Sequence, residues 1–276
     1  MMVELHSEAR SRYLNLLAMC HGIGSLFVPL YVAWLVRGGG KWQQIYCSSI
    51  FLAIPLLVFF WPSSRINNAI EIANAKPTRE EWDWKAICHV GFTKRMNCYY
   101  ALIVAYVAVE LGVAAWMMVF LQRQRAMSVN VSSIYLSSFF VLLMLGRLLG
   151  AFVVERLDHR LAVFVAIMAS SLCLLIGIFG NDRLVVFLPI SGLFMSIVFP
   201  TVTAAVTKMH PFQTGSILGF LFTFGGLGGA LGPWTVGIVS EWAGLDYGLA
   251  STVGFALVAL GAILCLRKGG RNTHAW

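Results

Sequence analysis

Tyr99–Leu121 reads YYALIVAYVAVELGVAAWMMVFL, an uninterrupted apolar run with one ionisable side chain, Glu110, near its middle. About 20 apolar residues in a helix cross the hydrocarbon core of a bilayer, so this stretch is predicted to span a membrane. A carboxylate at that depth is costly unless it faces a bundle interior or a watery cavity, where such groups serve a function. Glu110 is therefore the first candidate site residue.

The rest of the chain has the same character. It is 59% hydrophobic and 12% charged, a balance that no soluble domain of 276 residues keeps off its surface. The six cysteines are scattered, without a CxxC pair or a histidine at ligand spacing, so neither a disulfide framework nor a zinc site is expected. They read as small buried residues. There is no nucleophile–base pattern, phosphate loop or metal cluster, so no cofactor and no enzyme activity are expected. The net charge of +8 is to be counted loop by loop rather than taken as a sign of nucleic acid.

Runs of spanning length occur at Tyr13–Val36, Trp42–Trp61, Tyr99–Leu121, Val131–Val154, Leu161–Gly180, Leu184–Thr207, Phe212–Ser240 and Tyr247–Leu266. The expected fold is an all-α polytopic membrane protein with eight transmembrane helices. With the N-terminus inside, the inner segments hold Arg10, Arg12, Arg65, Lys76, Arg79, Lys85, Lys94, Arg95, Arg156, Arg160, Lys208, Arg267, Lys268 and Arg271. The outer segments hold only Arg37, Lys41, Arg123, Arg125 and Arg183. Basic loops stay cytoplasmic, so both termini are placed in the cytoplasm, of a plasma or inner membrane. Met1–Arg12 is polar and the run after it is too long for a cleaved leader, so no signal peptide is read.

One long polar connection, Pro62–Arg95, divides the spans. The reading is two helices over 1–61, a cytoplasmic linker over 62–95 and a six-helix bundle over 96–276. Within the linker, Thr78 and Glu81 form a capping box ahead of a short helix carrying Trp82, Trp84 and Ile87, which suits a membrane interface or a coupling helix. The last six spans fall into two triplets. Leu145-Gly-Arg-Leu-Leu-Gly-Ala-Phe152 in one echoes Leu227-Gly-Gly-Ala-Leu-Gly-Pro-Trp234 in the other, as an inverted repeat of a transporter would.

Three stretches resemble the major facilitator superfamily, and within it the sugar:proton symporter branch of fucose permease and related glucose transporters. Tyr106-Val-Ala-Val-Glu110-Leu-Gly-Val-Ala-Ala-Trp116 resembles that branch's seventh helix. Gly146-Arg147-Leu-Leu-Gly150 with Glu155-Arg156-Leu-Asp158-His159-Arg160 resembles the eighth helix and its cytoplasmic loop. Phe194–Thr201 and Gly225–Pro233 are similar to helices ten and eleven. Leu14-Asn15-Leu16 and Gly22-Ile-Gly24 match the start of helix five. The resemblance implies helices 5–12 of a twelve-helix fold, with no counterpart of helices one to four, where that branch's acidic coupling residues lie. In the loop motif only Arg156 and Arg160 match by type, and Ala18 and His21 replace positions that are polar in the fucose carrier.

The candidate substrate-binding or proton-coupling residues are Glu110, His21, Trp116, Tyr106 and Asn15. Glu110 is expected to bind solute hydroxyls or a proton. Trp116 lies about 240° round the helix from it, so it joins the same site only if the helix distorts; otherwise it is an interface anchor. His21 reads as a hydroxyl partner or as a satisfied core histidine. Arg147 needs a partner or must snorkel, and lies on a face with Ser133, Ser137, Phe140 and Met144. Gly146, Arg147, Glu155, Arg156 and Arg160 are expected to form a cytoplasmic gate, with ordinary positive-inside charge as the alternative for Arg156 and Arg160. Pro200, Gly225, Gly229 and Pro233 mark helix breaks or close packing. Pro200 is expected to free the Ser196 carbonyl, with the Ser196 hydroxyl helping to satisfy it.

The function this implies is secondary active transport of a sugar or similar small polar solute, with protons as the coupled ion, by alternating access. The alternatives are a truncated or non-transporting membrane protein acting as a receptor, regulatory partner or inactive fragment, and a drug efflux carrier.

Overall fold

A bilayer core offers no water to a bare N–H or C=O, so a chain this apolar closes its backbone hydrogen bonds within helices. The computed structural model describes residues 27–39, 41, 43–45, 47, 48, 50, 54, 91–153, 159–210 and 214–268, and among the described residues there is no strand. The helices are α1 (Phe27–Arg37), α2 (Lys94–Gln124), α3 (Val129–Val153), α4 (His159–Phe179), α5 (Phe187–Met195), α6 (Val198–Met209), α7 (Thr214–Ala243) and α8 (Leu245–Lys268). Six segments among the described residues are long and apolar enough to cross a membrane: α2, α3, α4, the unit Leu184–Met209, α7 and α8. The predicted span Tyr13–Val36 is described only in its last part, as α1. Most of the span at Trp42–Trp61, and all of the capping box with its tryptophan helix, lie outside the described residues.

Local chemistry sets the helix ends. The Thr93 hydroxyl caps α2 by accepting from the Met96 N–H at 3.3 Å. Ser128 accepts from the Val131 N–H at 3.4 Å ahead of α3. Gly244, at φ +93°, takes the left-handed conformation that lets α7 turn directly into α8. The last carbonyls of α4 are met from another element. Arg125, in the α2–α3 connection, donates to the carbonyls of Ile178 (2.7 Å) and Gly180 (2.8 Å) and pairs with Asp182 at 3.4 Å. At the opposite, basic end, Arg160 donates to the Leu266 carbonyl in the last turns of α8 at 3.3 Å.

The helix α2 is the axis of the bundle, packing most extensively on α7 and α8 and also meeting α3. Glycines allow the α2–α7 approach: a Cβ on Gly228 or Gly232 would collide with the carbonyls of Val104 or Ala108. The echoed pair, Gly146 and Gly150, serves α3 in the same way, against Ser196 and Ile197. Both L-G-x-x-L-G stretches are thus close helix crossings. Buried hydroxyls return to carbonyls three or four residues back in their own helix, as Ser170 and Ser171 do to Ile167 and Thr252 does to Leu249.

In the fourth of these spans a two-residue turn at Ser196–Ile197 lies between α5 and α6, the backbone keeping right-handed helical dihedrals through both residues. Pro200 lies one turn beyond it. The Ser196 hydroxyl donates to the Leu193 carbonyl at 2.6 Å, and the Thr201 hydroxyl to that of Ile197 at 2.6 Å. This corrects the expectation that Ser196 would help satisfy its own freed carbonyl; its side chain reaches back, not forward. Pro233, by contrast, sits inside an α7 that continues from Thr214 to Ala243 without interruption. The cysteines also differ from expectation: Cys173 is buried, Cys98 half-buried, and Cys47 and Cys265 exposed.

Candidate functional site

Glu110 and Arg147 are the charged residues of the described spans that stand clear of the helix ends; the others lie in the first or last turns. They meet. One Arg147 guanidinium nitrogen lies 3.8 Å from a Glu110 carboxylate oxygen, with the two side chains 14% and 15% exposed. Helix geometry explains why. Every Cα–Cβ bond tilts toward its helix N-terminus, and consecutive spans α2 and α3 run in opposite directions. Glu110 therefore leans toward the Lys94 end while Arg147 leans away from it, so the two converge from different levels. Arg147 consequently finds its partner toward mid-span and does not snorkel to the near boundary.

The Tyr106 side chain, one turn before Glu110 and 3% exposed, lies within electrostatic reach of both charges. Its hydroxyl makes no hydrogen bond, and neither does Nε of Arg147, although both atoms are buried. At 3.8 Å the pair itself is longer than a hydrogen bond. A forked, structural arginine–carboxylate pair is about 1 Å shorter. The site thus holds more donors than its one carboxylate satisfies.

Behind Tyr106 lies a cavity of about 10 Å³, lined by Tyr106, Val109, Ile167, Ser170, Met195, Val198, Ala256 and Ala259. It holds one water at most. A solute has no room there, whereas the side chains of Glu110 and Arg147 are partly exposed. The Ser196–Ile197 turn sits against α3 here, since Gly146 and Gly150, on either side of Arg147 in sequence, pack against it.

The other predicted residues separate. Trp116 does not join Glu110: its indole N–H donates to the Pro233 carbonyl at 3.0 Å and its ring packs over Gly237, so it fastens α2 to α7. Gly225 and Gly229 lie on the α7 face toward Val107 and Leu111 of α2, a packing role. Gly146 is a packing glycine, and Arg160 meets the end of α8. Arg147, grouped by the sequence with a cytoplasmic gate, pairs with Glu110 on α2. His21, Asn15, Glu155 and Arg156 lie outside the described residues. Sequence reading missed Arg125 and the Gln124–Asp246 hydrogen bond, which joins the ends of α2 and α8. A basic residue in a short connection is a weak signal for capping, and nothing in the sequence says whose helix it caps.

The sequence profile of the Major Facilitator Superfamily matches residues 1–233 and, overlapping, 124–274. The chain is 23% identical over 264 residues to the cis,cis-muconate transport protein of Acinetobacter baylyi, covering 93% of this chain and 62% of the relative. It is 20% identical to Bypass of stop codon protein 6 of Saccharomyces cerevisiae, over 84% of this chain and 54% of that one. The chain therefore spans between about half and three-fifths of the length of these curated relatives. Among solved structures it resembles the E. coli fucose:proton symporter FucP, with a TM-score of 0.69 at 17% identity, covering 96% of this chain and 70% of that one. The outward conformation of FucP matches with a TM-score of 0.66. The profile covers most of the chain and the fold agrees with it, and on these grounds the chain is an integral membrane protein of the Major Facilitator Superfamily, a family of transporters and not of enzymes.

Proposed function

We propose that this chain works as part of a secondary active transporter that moves a small polar solute of sugar size together with a proton, by alternating access. The observation that carries the reading is the meeting of the two intramembrane charges, Glu110 near the middle of α2 and Arg147 toward the end of α3. Intramembrane ion pairs mark substrate and proton pathways. Relatives named for a fucose:proton symporter and a muconate transporter support the class of activity while differing in solute.

In this reading Glu110 takes and releases the coupled proton and Arg147 holds the solute or its counter-charge. Tyr106 supplies a hydrogen bond to the bound state. The six-helix unit 96–276 is one half of the moving machine and the helices of 1–61 belong to the other, joined by the linker 62–95. His21 and Asn15 contribute from that other half, while Glu155, Arg156 and Arg160 serve the cytoplasmic gate. The excess of basic residues at the Lys94 end supports a cytoplasmic position for that end and for both termini.

The test is solute uptake into proteoliposomes driven by an inward proton gradient. Accumulation that disappears in Glu110→Gln, or when the gradient is collapsed, is the expected result. Accumulation unchanged by both treatments would overturn the proton-coupled reading.

A further inference from the structure

We infer that the solute handled at the Glu110–Arg147 site carries a carboxylate, and that Glu110 is the resident stand-in for it. This rests on the carrier reading above and deepens it, naming the substrate class. Three observations lead to it, each independent of any relative.

The first is the donor balance. Arg147 brings five N–H donors in a rigid fork and Tyr106 one O–H, whereas the charged or titratable groups at this point among the described residues offer one acceptor group, the carboxylate of Glu110 with its two oxygens and about four lone pairs. The Nε of Arg147 and the Tyr106 hydroxyl are buried with no hydrogen bond. Each hydroxyl of a neutral polyol brings a donor along with its acceptor lone pairs and no charge, so it redresses such an excess only in part; a second carboxylate, acceptor only and matched to the guanidinium fork, redresses it more fully.

The second is the looseness of the pair. Its separation of 3.8 Å leaves the guanidinium fork unfilled, which suits a counter-ion that can be displaced. The third is access. The two charged side chains keep 14% and 15% of their surface exposed, while Tyr106 beside them is 3% exposed.

These facts define an exchange. A ligand carboxylate takes the Arg147 fork and the Tyr106 hydroxyl, and Glu110, its counter-charge withdrawn, takes up one free proton from the bulk solution that the ligand comes from. Charge at the site is conserved: one cation and one anion before, one cation, one anion and one neutral acid after. Ligand and proton thus enter together because the site stays neutral, with one anion set against its one cation.

The experiment is equilibrium binding to the purified full chain by calorimetry, using glucose and glucuronate as a matched pair and adipate as a dicarboxylate. Titrations in buffers of different ionisation heat count the protons taken up. Glucuronate or adipate is expected to bind at least about tenfold tighter than glucose, with proton uptake that vanishes in Glu110→Gln. Arg147→Gln should lose acid binding while Arg147→Lys, which keeps the charge but not the fork, retains a weakened part of it. Size-exclusion profiles establish that each variant is folded. Glucose binding preferentially, or folded protein binding acids equally well in Arg147→Gln, would overturn the inference. The two readings fail separately. Acid binding that depends on Arg147 without gradient-driven uptake would remove the transport reading and leave the site; driven glucose uptake that glucuronate and adipate do not inhibit would keep transport and overturn the site.

Discussion

Glu110 and Arg147 are each other's reason for being tolerated. Removing one partner of a largely buried pair leaves an uncompensated charge, so Arg147→Ala is expected to destabilise the protein by about 3 kcal/mol in thermal unfolding. The double variant Glu110→Gln, Arg147→Gln should recover most of that loss. Tyr106→Phe carries the opposite expectation. Its hydroxyl is buried without a hydrogen bond, so its removal should leave stability unchanged or raise it by about 1 kcal/mol, while weakening solute binding. A loss of stability would mean the hydroxyl is already satisfied. His210 lies outside the spans, with Nε2 buried and without a hydrogen bond. Burial, and the nearby positive charge of Arg95, push its pKa below the usual 6.5. A histidine held neutral in this way adds stability above its unfolded pKa and loses it as pH falls through the lower folded value. Thermal stability should therefore decline on acidification below about pH 6.5, and His210→Gln should flatten that part of the profile.

At the scale of elements, the glycines of α7 divide by what they face. Gly228 and Gly232 meet α2 carbonyls, whereas nothing lies within 4 Å of a Cβ at Gly226. Gly226→Ala should be neutral within about 1 kcal/mol. Gly232→Ala should separate α7 from α2 and cost about 2 kcal/mol or more, seen as a lower melting point and loss of monodisperse protein. Trp116→Phe removes the N–H that reaches the Pro233 carbonyl and should cost about 1 kcal/mol with solute affinity intact. A fall in affinity at unchanged stability would return Trp116 to the binding site. These positions also show where sequence reading stops. The glycine spacing, the proline near residue 200 and the aromatic at 116 were legible as special. Their partners were not, because a partner across a helix crossing depends on which faces meet.

The whole molecule offers a test of rigid-body motion. The sulfurs of Cys98 on α2 and Cys265 on α8 lie 3.1 Å apart near the basic end of the bundle. Mild oxidation with copper phenanthroline should join them, detected as a loss of about two mass units in the intact chain, since a disulfide forms when the sulfurs close to about 2 Å. If alternating access is a rocking of one bundle against the other, this bond lies within a single moving body and uptake should survive it. Uptake abolished by the bond and restored by reductant would show that α2 and α8 slide past each other.

The sequence by itself determined the class of protein, the positions of the six described spans to within a few residues, and that the charge at position 110 lies within a span and needs a partner. Each of these follows from composition, run length or the cost of an isolated charge in hydrocarbon, quantities local to the chain. The pairing of Glu110 with Arg147, the use of Trp116 as a helix fastener, the reach of Arg125 to the end of α4 and the backward hydrogen bond of Ser196 were decided only by the tertiary structure. In each case a polar group was bound to find a partner, and the nearest one lay on another helix or along a turn whose direction the side-chain tilt and the helix crossings set.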